Sequence, residues 1–182
     1  MEITYKTDEF NKLTEKEIDE FIDLCHMCHQ HHNYQYATTR EKFVETICPY
    51  AERPNSYIIR AFDDTKLVGS IMLLDIAHSR AVNGSIELMQ YFEDNNIDRT
   101  KSAITTELWV DPNYFSQGIA KSLNKQVEVL AKEVGFKHFV FFAAFEERTL
   151  RWYHAHYRGR ITQTDIRLLP RDETKVFLVD IV

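Results

Sequence analysis

The 182 residues include only three cysteines, too few for a disulfide framework, and two of them, Cys25 and Cys28, fall in a stretch that reads as one helix. Free thiols are therefore expected. Five glycines and four prolines exclude collagen-like and linker-like classes, and there is no internal repeat, low-complexity segment or domain linker. No apolar run approaches the roughly 20 residues of a membrane span. The start, M-E-I-T-Y-K-T-D-E, has no signal-peptide profile, so the expected compartment is the cytoplasm. Positive charge is also scarce. With 22 Lys and Arg against 28 Asp and Glu, the net charge is −6 at pH 7. That argues against a nucleic-acid surface with its usual basic patch. It suits a cationic partner such as an amine, although acidity also serves solubility alone.

What the chain does have is enough apolar material for one core: 44% hydrophobic and 13% aromatic residues. Ile3 to Phe10 reads as an opening strand. Thr14-x-x-Glu17 is a capping box, and Ile18, Phe21, Ile22 and Cys25 follow at helical spacing to about His29–His32. A second box, Thr38-x-x-Glu41, opens a helix with Phe43, Val44 and Ile47 that Pro49 ends. Ser56 to Phe62 and Leu67 to Ile76 read as strands joined by the turn Asp63-Asp64-Thr65-Lys66. The pattern then weakens from Ala77 to Ser102, where Ile86, Leu88, Met89, Tyr91 and Phe92 mark a short helix in a long connection. Such a connection is either a functional insertion or a packing one.

From Ala103 to Phe145 the pattern is strand, turn, amphipathic helix and buried strand. The strand A-I-T-T-E-L-W-V breaks at Asp111-Pro112, and the turn carries Gln117-Gly118-Ile119-Ala120 into a helix that Gly135 stops. Ala120, Leu123, Val127, Leu130, Ala131 and Val134 line one face of it. A strand–helix–strand unit of this length predicts a parallel pair. Glu146 to His156 reads as another helix, and Ile161–Leu168 and Lys175–Val182 as closing strands. The expected architecture is a single α/β domain over residues 1–182 with an insertion at about 77–102. Its mixed central sheet has about seven strands flanked by helices.

Backbone N–H groups in a helix's first turn point outward without intrahelical partners, and the dipole adds positive potential. Gly118 lets a phosphate approach that backbone and Ala120 keeps the next wall small, so Ser116–Ala120 would hold a pyrophosphate without a basic side chain. An ordinary helix start reads the same way. There is no G-x-x-x-x-G-K-[ST] and no G-x-G-x-x-G, which disfavours nucleotide hydrolysis and Rossmann binding.

The segment V-D-P-N-Y-F-S-Q-G-I-A-K-S-L (Val110–Leu123) resembles the acyl-CoA motif of the GNAT N-acyltransferase superfamily, V-x-P-x-[YF]-[RQ]-G-x-G-[IL]-[GA]-x-x-L. E-E-R-T-L-R-W-Y (Glu146–Tyr153) is similar to that family's N-x-x-A-x-x-x-Y helix, and the order of elements is also the family's. The resemblance implies an acetyl-CoA-dependent N-acetyltransferase that moves an acetyl group to a primary amine by direct attack. Cofactor contacts would come from Trp109, Val110, Phe115, Ser116, Gln117, Gly118, Ile119, Ala120 and Glu146. Four positions depart from the pattern. Phe115 stands where Arg or Gln is usual, Ser116 where Gly is, Glu146 where Asn is, and Tyr157 where Gly usually follows the tyrosine. The family's pyrophosphate contacts are mostly backbone N–H groups, which survive the first two changes. An acidic Glu146 would alter the contact to the pantetheine arm.

The reaction makes three demands. A lysine-like amine has pKa ~10.4, so deprotonating it at pH 7 costs about 4.6 kcal/mol and a base matters. Glu107, on the strand entering the motif, would be that base, commonly through a water in this family. It reads equally as a carboxylate binding a cationic acceptor, or as a polar strand residue. A strand splay near Trp109-Val110, implied by the resemblance, would offer a backbone N–H to the acetyl oxygen. Tyr153 would protonate the leaving thiolate, a phenol of pKa ~10 against ~8.5 for a thiol. Without the resemblance it reads as a core tyrosine. No cysteine lies in the matching region, which favours direct transfer over an acyl-enzyme.

C-H-M-C-H (Cys25–His29), with His31 and His32 after it, fits the c-type haem string, but haem attachment requires export. Zinc held by Cys25, Cys28, His29 and His32 is geometrically open, yet two turns of one helix seldom close a tetrahedral site. No metal is expected. In the family the first two helices often wall the acceptor site, so Tyr34 and Tyr36 between them, with Glu107, are the acceptor-contacting candidates. The acceptor would be a small-molecule amine or a protein amine, with no nucleic acid and no membrane as partner; the fold is compatible with homodimerisation. A catalytically lapsed acyl-CoA-binding regulatory module and a protein N-terminal or lysine acetyltransferase are the rival readings.

Overall fold

A computed structural model of the chain describes residues 2–31, 39–144, 147–167 and 174–181. Tyr34, Tyr36, Thr38 and Glu146 lie outside the described residues, as does most of the turn around Pro170. The strands are β1 (Ile3–Glu9), β2 (Ser56–Asp63), β3 (Lys66–Asp75), β4 (Ser102–Val110), β5 (His138–Ala144), β6 (Ile161–Arg167) and β7 (Thr174–Asp180). They form one mixed seven-stranded sheet in the order β1-β2-β3-β4-β5-β7-β6. The helices are α1 (Glu15–His31), α2 (Arg40–Ile47), α3 (Arg80–Asn83), α4 (Ile86–Asp94), α5 (Ile119–Glu133) and α6 (Glu147–His156), with short 3₁₀ turns between elements. The chain packs as two compact units, Met1–Leu73 with Glu107–Val127, and Leu74–Thr106 with Glu128–Val182.

In the first unit the capping box forms as expected. Thr14 N–H donates to Glu17 Oε2 at 2.9 Å while Glu17 N–H donates to Thr14 Oγ1 at 3.3 Å. The helix that follows buries Phe21, Ile22, Leu24, Cys25, Cys28 and His29. Glu17 has a second task. With Asp8 of β1 it holds the guanidinium of Arg60, 3% exposed on β2, at 2.9 and 2.8 Å, which ties the first turn of α1 to the sheet. β1 pairs antiparallel with β2 from Ile3–Asp63 to Glu9–Tyr57. β2 and β3 are buried along most of their length, the signature of interior strands covered on both faces. Asp64, at φ 54°, makes the tight turn between them. The cap of α2 is Thr39, whose Oγ1 accepts from Lys42 N–H at 3.3 Å, one residue later than the spacing of Thr38 and Glu41 suggests.

In the second unit β4 and β5 pair in parallel through Ser102–His138, Ala103–Phe139 and Ile104–Val140, the arrangement the strand–helix–strand pattern predicts. β5 pairs antiparallel with β7, and β7 with β6. Gly135, at φ 91°, ends α5 as foreseen: its N–H donates to Lys132 O at 3.1 Å and that of Phe136 to Ala131 O at 2.8 Å, a Schellman cap. Val134 sits at that cap and is exposed rather than on the buried face, because the helix has already ended beneath it. Leu123, Val127 and Ala131 are fully buried along the helix, and Ile119 and Asn124 are buried beside them. The stretch 77–102 holds two helices, α3 and α4. Ser85 caps α4 by accepting from Leu88 N–H at 3.2 Å, and Leu88 and Phe92 are buried while Ile86 is exposed.

Candidate active site

The first unit contains Glu107, Trp109, Val110 and Phe115–Ala120, brought together where β4 ends, the chain turns and α5 begins. Asp-Pro stops the strand, and Asp111 anchors the stop. Its N–H donates to Val68 O at 2.9 Å, and its carboxylate accepts from Lys66 Nζ at 2.7 Å and from both the N–H and Nδ2 of Asn113 at 2.9 Å. Asp111 is 1% exposed. Burial alone would raise its pKa, but the Lys66 ammonium and the Asn113 N–H hold it below the usual carboxylate value. Tyr114 completes the brace: its hydroxyl donates to Asp63 Oδ2 at 2.8 Å, and Lys66 Nζ lies 5.2 Å from the centre of its ring.

The turn itself alternates backbone hand. Ser116 (φ 64°) and Gly118 (φ 80°) are left-handed, with Gln117 between them, an arrangement that turns successive N–H groups toward one face. Ser122 N–H donates to Gly118 O at 3.0 Å, which makes Gly118 the residue before the helix and leaves the first-turn N–H groups of Ile119, Ala120 and Lys121 pointing outward. Among the described residues, no atom lies within 4 Å of where a Gly118 Cβ would be, and Phe115 to Gly118 are exposed. Backbone donors, an open approach and the positive end of a 15-residue helix dipole fit an anionic phosphate. Phe115 has its ring edge-on to His31 of α1, centroids 5.8 Å apart. The side chain of Ile119 is buried, so only its backbone belongs to this face.

Upstream, Glu107 sits within β4 at φ 52°, a left-handed residue inside a strand. Its carbonyl accepts from Ser70 Oγ at 3.4 Å, and its carboxylate accepts from the indole Nε1–H of Trp109 at 2.8 Å. Trp109 in turn meets the buried ring of His29, centroids 6.4 Å apart. Cys28 Sγ–H donates to the carbonyl of Val110 at 3.2 Å. Burial pushes the Cys28 thiol up to about 12 and the Cys25 thiol higher than its ordinary value, the latter with the Glu107 charge adding to the effect. Both are free thiols, as expected. Among the described residues no group of three or more His, Cys, Asp and Glu is arranged to hold a metal ion, and no helix is long and apolar enough to cross a membrane.

Tyr153 belongs to the second unit. It is half-buried on α6, tilted against Phe141 with centroids 4.3 Å apart and stacked on Tyr157 and Phe177 at 6.4 and 6.5 Å. Tyr157, where the family pattern has glycine, is fully buried with its ring edge-on to Phe139. Burial pushes its phenol far above the ordinary value. The candidates Tyr34 and Glu146 lie outside the described residues.

Four features of the site escaped the sequence reading. The indole bond to Glu107, the thiol bond to Val110 and the Lys66–Asp111 pair join residues whose side-chain geometry no local spacing encodes. The fourth, Gly69, did carry a signal: a glycine inside a strand marks close backbone approach. A Cβ there would lie 2.9 Å from Ile119 Cγ2 and 3.3 Å from the Trp109 carbonyl.

Solved structures share the fold. FeeM, an N-acyl amino acid synthase from uncultured soil microbes, superposes with a TM-score of 0.74 at 14% identity, over 99% of this chain and 91% of its own. The PaiA N-acetyltransferase from Thermoplasma acidophilum, solved with coenzyme A, gives 0.64 at 16% identity over 99% of both chains. An acyl-CoA N-acyltransferase from Pseudomonas aeruginosa gives 0.65 at 10% identity, over 98% of this chain and 99% of its own. A search of the curated proteins finds no significant match. The model of the acetyltransferase (GNAT) family, however, matches residues 16–157, from the first turn of α1 through the end of β4 and the glycine turn to Tyr157. The chain belongs to the acetyltransferase (GNAT) family.

Proposed function

We propose that this protein transfers an acetyl group from acetyl-CoA to a primary amine by direct attack. The observation that carries the reading is the joining of two features by one short stretch of chain. A carboxylate, Glu107, is held at a left-handed bend of β4, and an open, exposed helix N-terminus begins twelve residues later at Ile119. Gln117, Gly118 and Ala120 help hold the pyrophosphate, with the backbone N–H groups of the first turn as the main donors, beside Phe115, Ser116 and Ile119. Trp109 and Val110 supply backbone N–H to the acetyl oxygen, and Glu146 contacts the pantetheine arm.

In the reaction, the neutral amine attacks the thioester carbonyl, the N–C bond forms and the C–S bond breaks. Glu107 has first taken the proton of the ammonium form, directly or through a water; the second N–H proton is lost to solvent as the amide forms, and the departing thiolate takes a proton from Tyr153. Deprotonation of the acceptor is the step for which Glu107 is needed, since a lysine-like amine is almost wholly protonated at neutral pH. The elevated thiols of Cys25 and Cys28 support direct transfer, because a protonated, buried thiol is a poor nucleophile. The acceptor is a small-molecule or protein amine, with Tyr34 and Glu107 in contact with it.

The test has two parts. Calorimetry should show saturable acetyl-CoA binding, and its absence overturns the cofactor assignment. A panel of amines, scored by mass for the added acetyl group, should then yield at least one acetylated product. Binding without thiol release on any amine would favour the lapsed regulatory module instead.

A further inference from the structure

Strand β4 places Trp109 two residues beyond Glu107, and the 2.8 Å contact between the indole Nε1–H and Oε2 joins their side chains. A tryptophan N–H is a donor only. It can bond a carboxylate oxygen that accepts, and it cannot receive a bond from a protonated carboxyl. As a partner for a glutamate, this side chain therefore favours the form able to take a proton. The surroundings hold the indole and the bend in place. Ser70 Oγ–H donates to the Glu107 carbonyl at 3.4 Å, and the buried His29 ring lies against Trp109 at 6.4 Å. The Trp109 carbonyl passes so near Gly69 that a Cβ there would be 3.3 Å away.

We propose that Trp109 is a positioning residue for Glu107, its indole N–H fixing the carboxylate in the rotamer and ionised state in which it accepts the proton of the acceptor amine. This rests on the reading of Glu107 as the base. It gives the Trp109 side chain a task separate from the backbone contact to acetyl-CoA assigned above. Among the described residues, the titratable groups that face the pair include three from α1: the Cys25 thiol toward Glu107, the Cys28 thiol on the Val110 carbonyl, and His29 on the indole. Burial keeps both thiols protonated, so neither competes with Glu107 for the proton. β3 contributes the uncharged Ser70 hydroxyl.

The sign follows from the bond. Removing a donor from a carboxylate raises its proton affinity, so the acidic limb of kcat/KM moves to higher pH. In Trp109→Phe the limb should rise by ~1 pH unit, while acetyl-CoA affinity measured by calorimetry changes little. Glu107→Gln should remove the limb altogether. A limb unmoved in Trp109→Phe overturns the positioning role. Full activity of Glu107→Gln across the pH range overturns the reading of Glu107 as base. A second measurement needs no change at position 109. The chain has two tryptophans, so a ¹⁵N-tryptophan sample gives two indole signals, the other from Trp152. The Trp109 signal should titrate with a carboxylate in the wild-type protein and stop doing so in Glu107→Gln. A signal flat through the carboxylate range shows that the bond is absent in solution and overturns the proposal even where Trp109→Phe does not fold.

Discussion

Gly69 and Ile119 pack so closely that a methyl group does not fit between them: a Cβ on Gly69 would meet Ile119 Cγ2 at 2.9 Å. On its other side it would meet the Trp109 carbonyl at 3.3 Å. β3, the end of β4 and the first turn of α5 thus share one contact. Gly69→Ala must move the branched Cγ2 or a backbone carbonyl. Overpacking of this kind costs about 1–3 kcal/mol. We expect a lower melting temperature together with weaker acetyl-CoA binding, because moving the Ile119 side chain shifts the first turn of α5, to which the proposed function assigns the pyrophosphate. A variant with wild-type stability and affinity would show that the contact relaxes freely.

Tyr153→Phe keeps the ring that packs on Phe141 at 4.3 Å and removes only the hydroxyl. Turnover should fall by roughly 10²–10⁴-fold, with acetyl-CoA affinity and thermal stability little changed. Steady-state kinetics beside calorimetry checks this. An unchanged rate would sink the acid role and leave Tyr153 as a packing residue.

Asp111 is the buried end of an ion pair whose other end, Lys66, is more than half exposed. Lys66→Met leaves a buried carboxylate supported, among the described residues, by Asn113 alone and should cost about 1–3 kcal/mol. The pH dependence has a definite sign. Asp111 is depressed from 3.8, so its contribution is present above that value and lost as pH falls through its lower native pKa. Wild-type stability should therefore drop below about pH 4. In Lys66→Met the acid-side slope should be shallower. Denaturant midpoints measured from pH 7 to pH 3 on both proteins test the point.

Glu17 closes the capping box of α1 and helps neutralise Arg60. Its pKa is lowered from 4.5 to about 2, first by the Thr14 N–H, then by the Thr14 hydroxyl and, beyond these, by Arg60. The stability it provides is complete above 4.5 and disappears as pH falls from there toward about 2. Glu17→Ala should lose about 1 kcal/mol from the cap, with more from the weakened pairing of Arg60. The sharper expectation is that this variant lacks part of the acid transition in circular dichroism at the α-helical band. An identical acid profile would mean that the box does not persist in solution.

The sequence by itself determined the features that depend on neighbours along the chain. The Thr14–Glu17 box, the Asp111-Pro112 stop, the Gly135 cap and the succession of strands and helices were legible because each rests on groups within about one helical turn of each other. The resemblance of Val110–Leu123 to an acyl-CoA motif was legible for the same reason, since a helix start and its glycine are contiguous. Even so, the Thr38–Glu41 spacing set the cap of α2 one residue early, and the backbone used Thr39. Val134 continued a helical period that the chain had already abandoned. Only the tertiary structure decided the rest. A left-handed glutamate inside a strand has no local signature, because a non-glycine residue adopts that conformation only where its surroundings hold it. The Trp109–Glu107 bond depends on that bend, and the Cys28–Val110 bond joins residues 82 apart. Lys66 reaches Asp111 across 45 residues for the same reason. The stretch from β4 into α5 could thus be read as a place to hold a phosphate. The orientation of the carboxylate beside it was set by packing from β3 and α1.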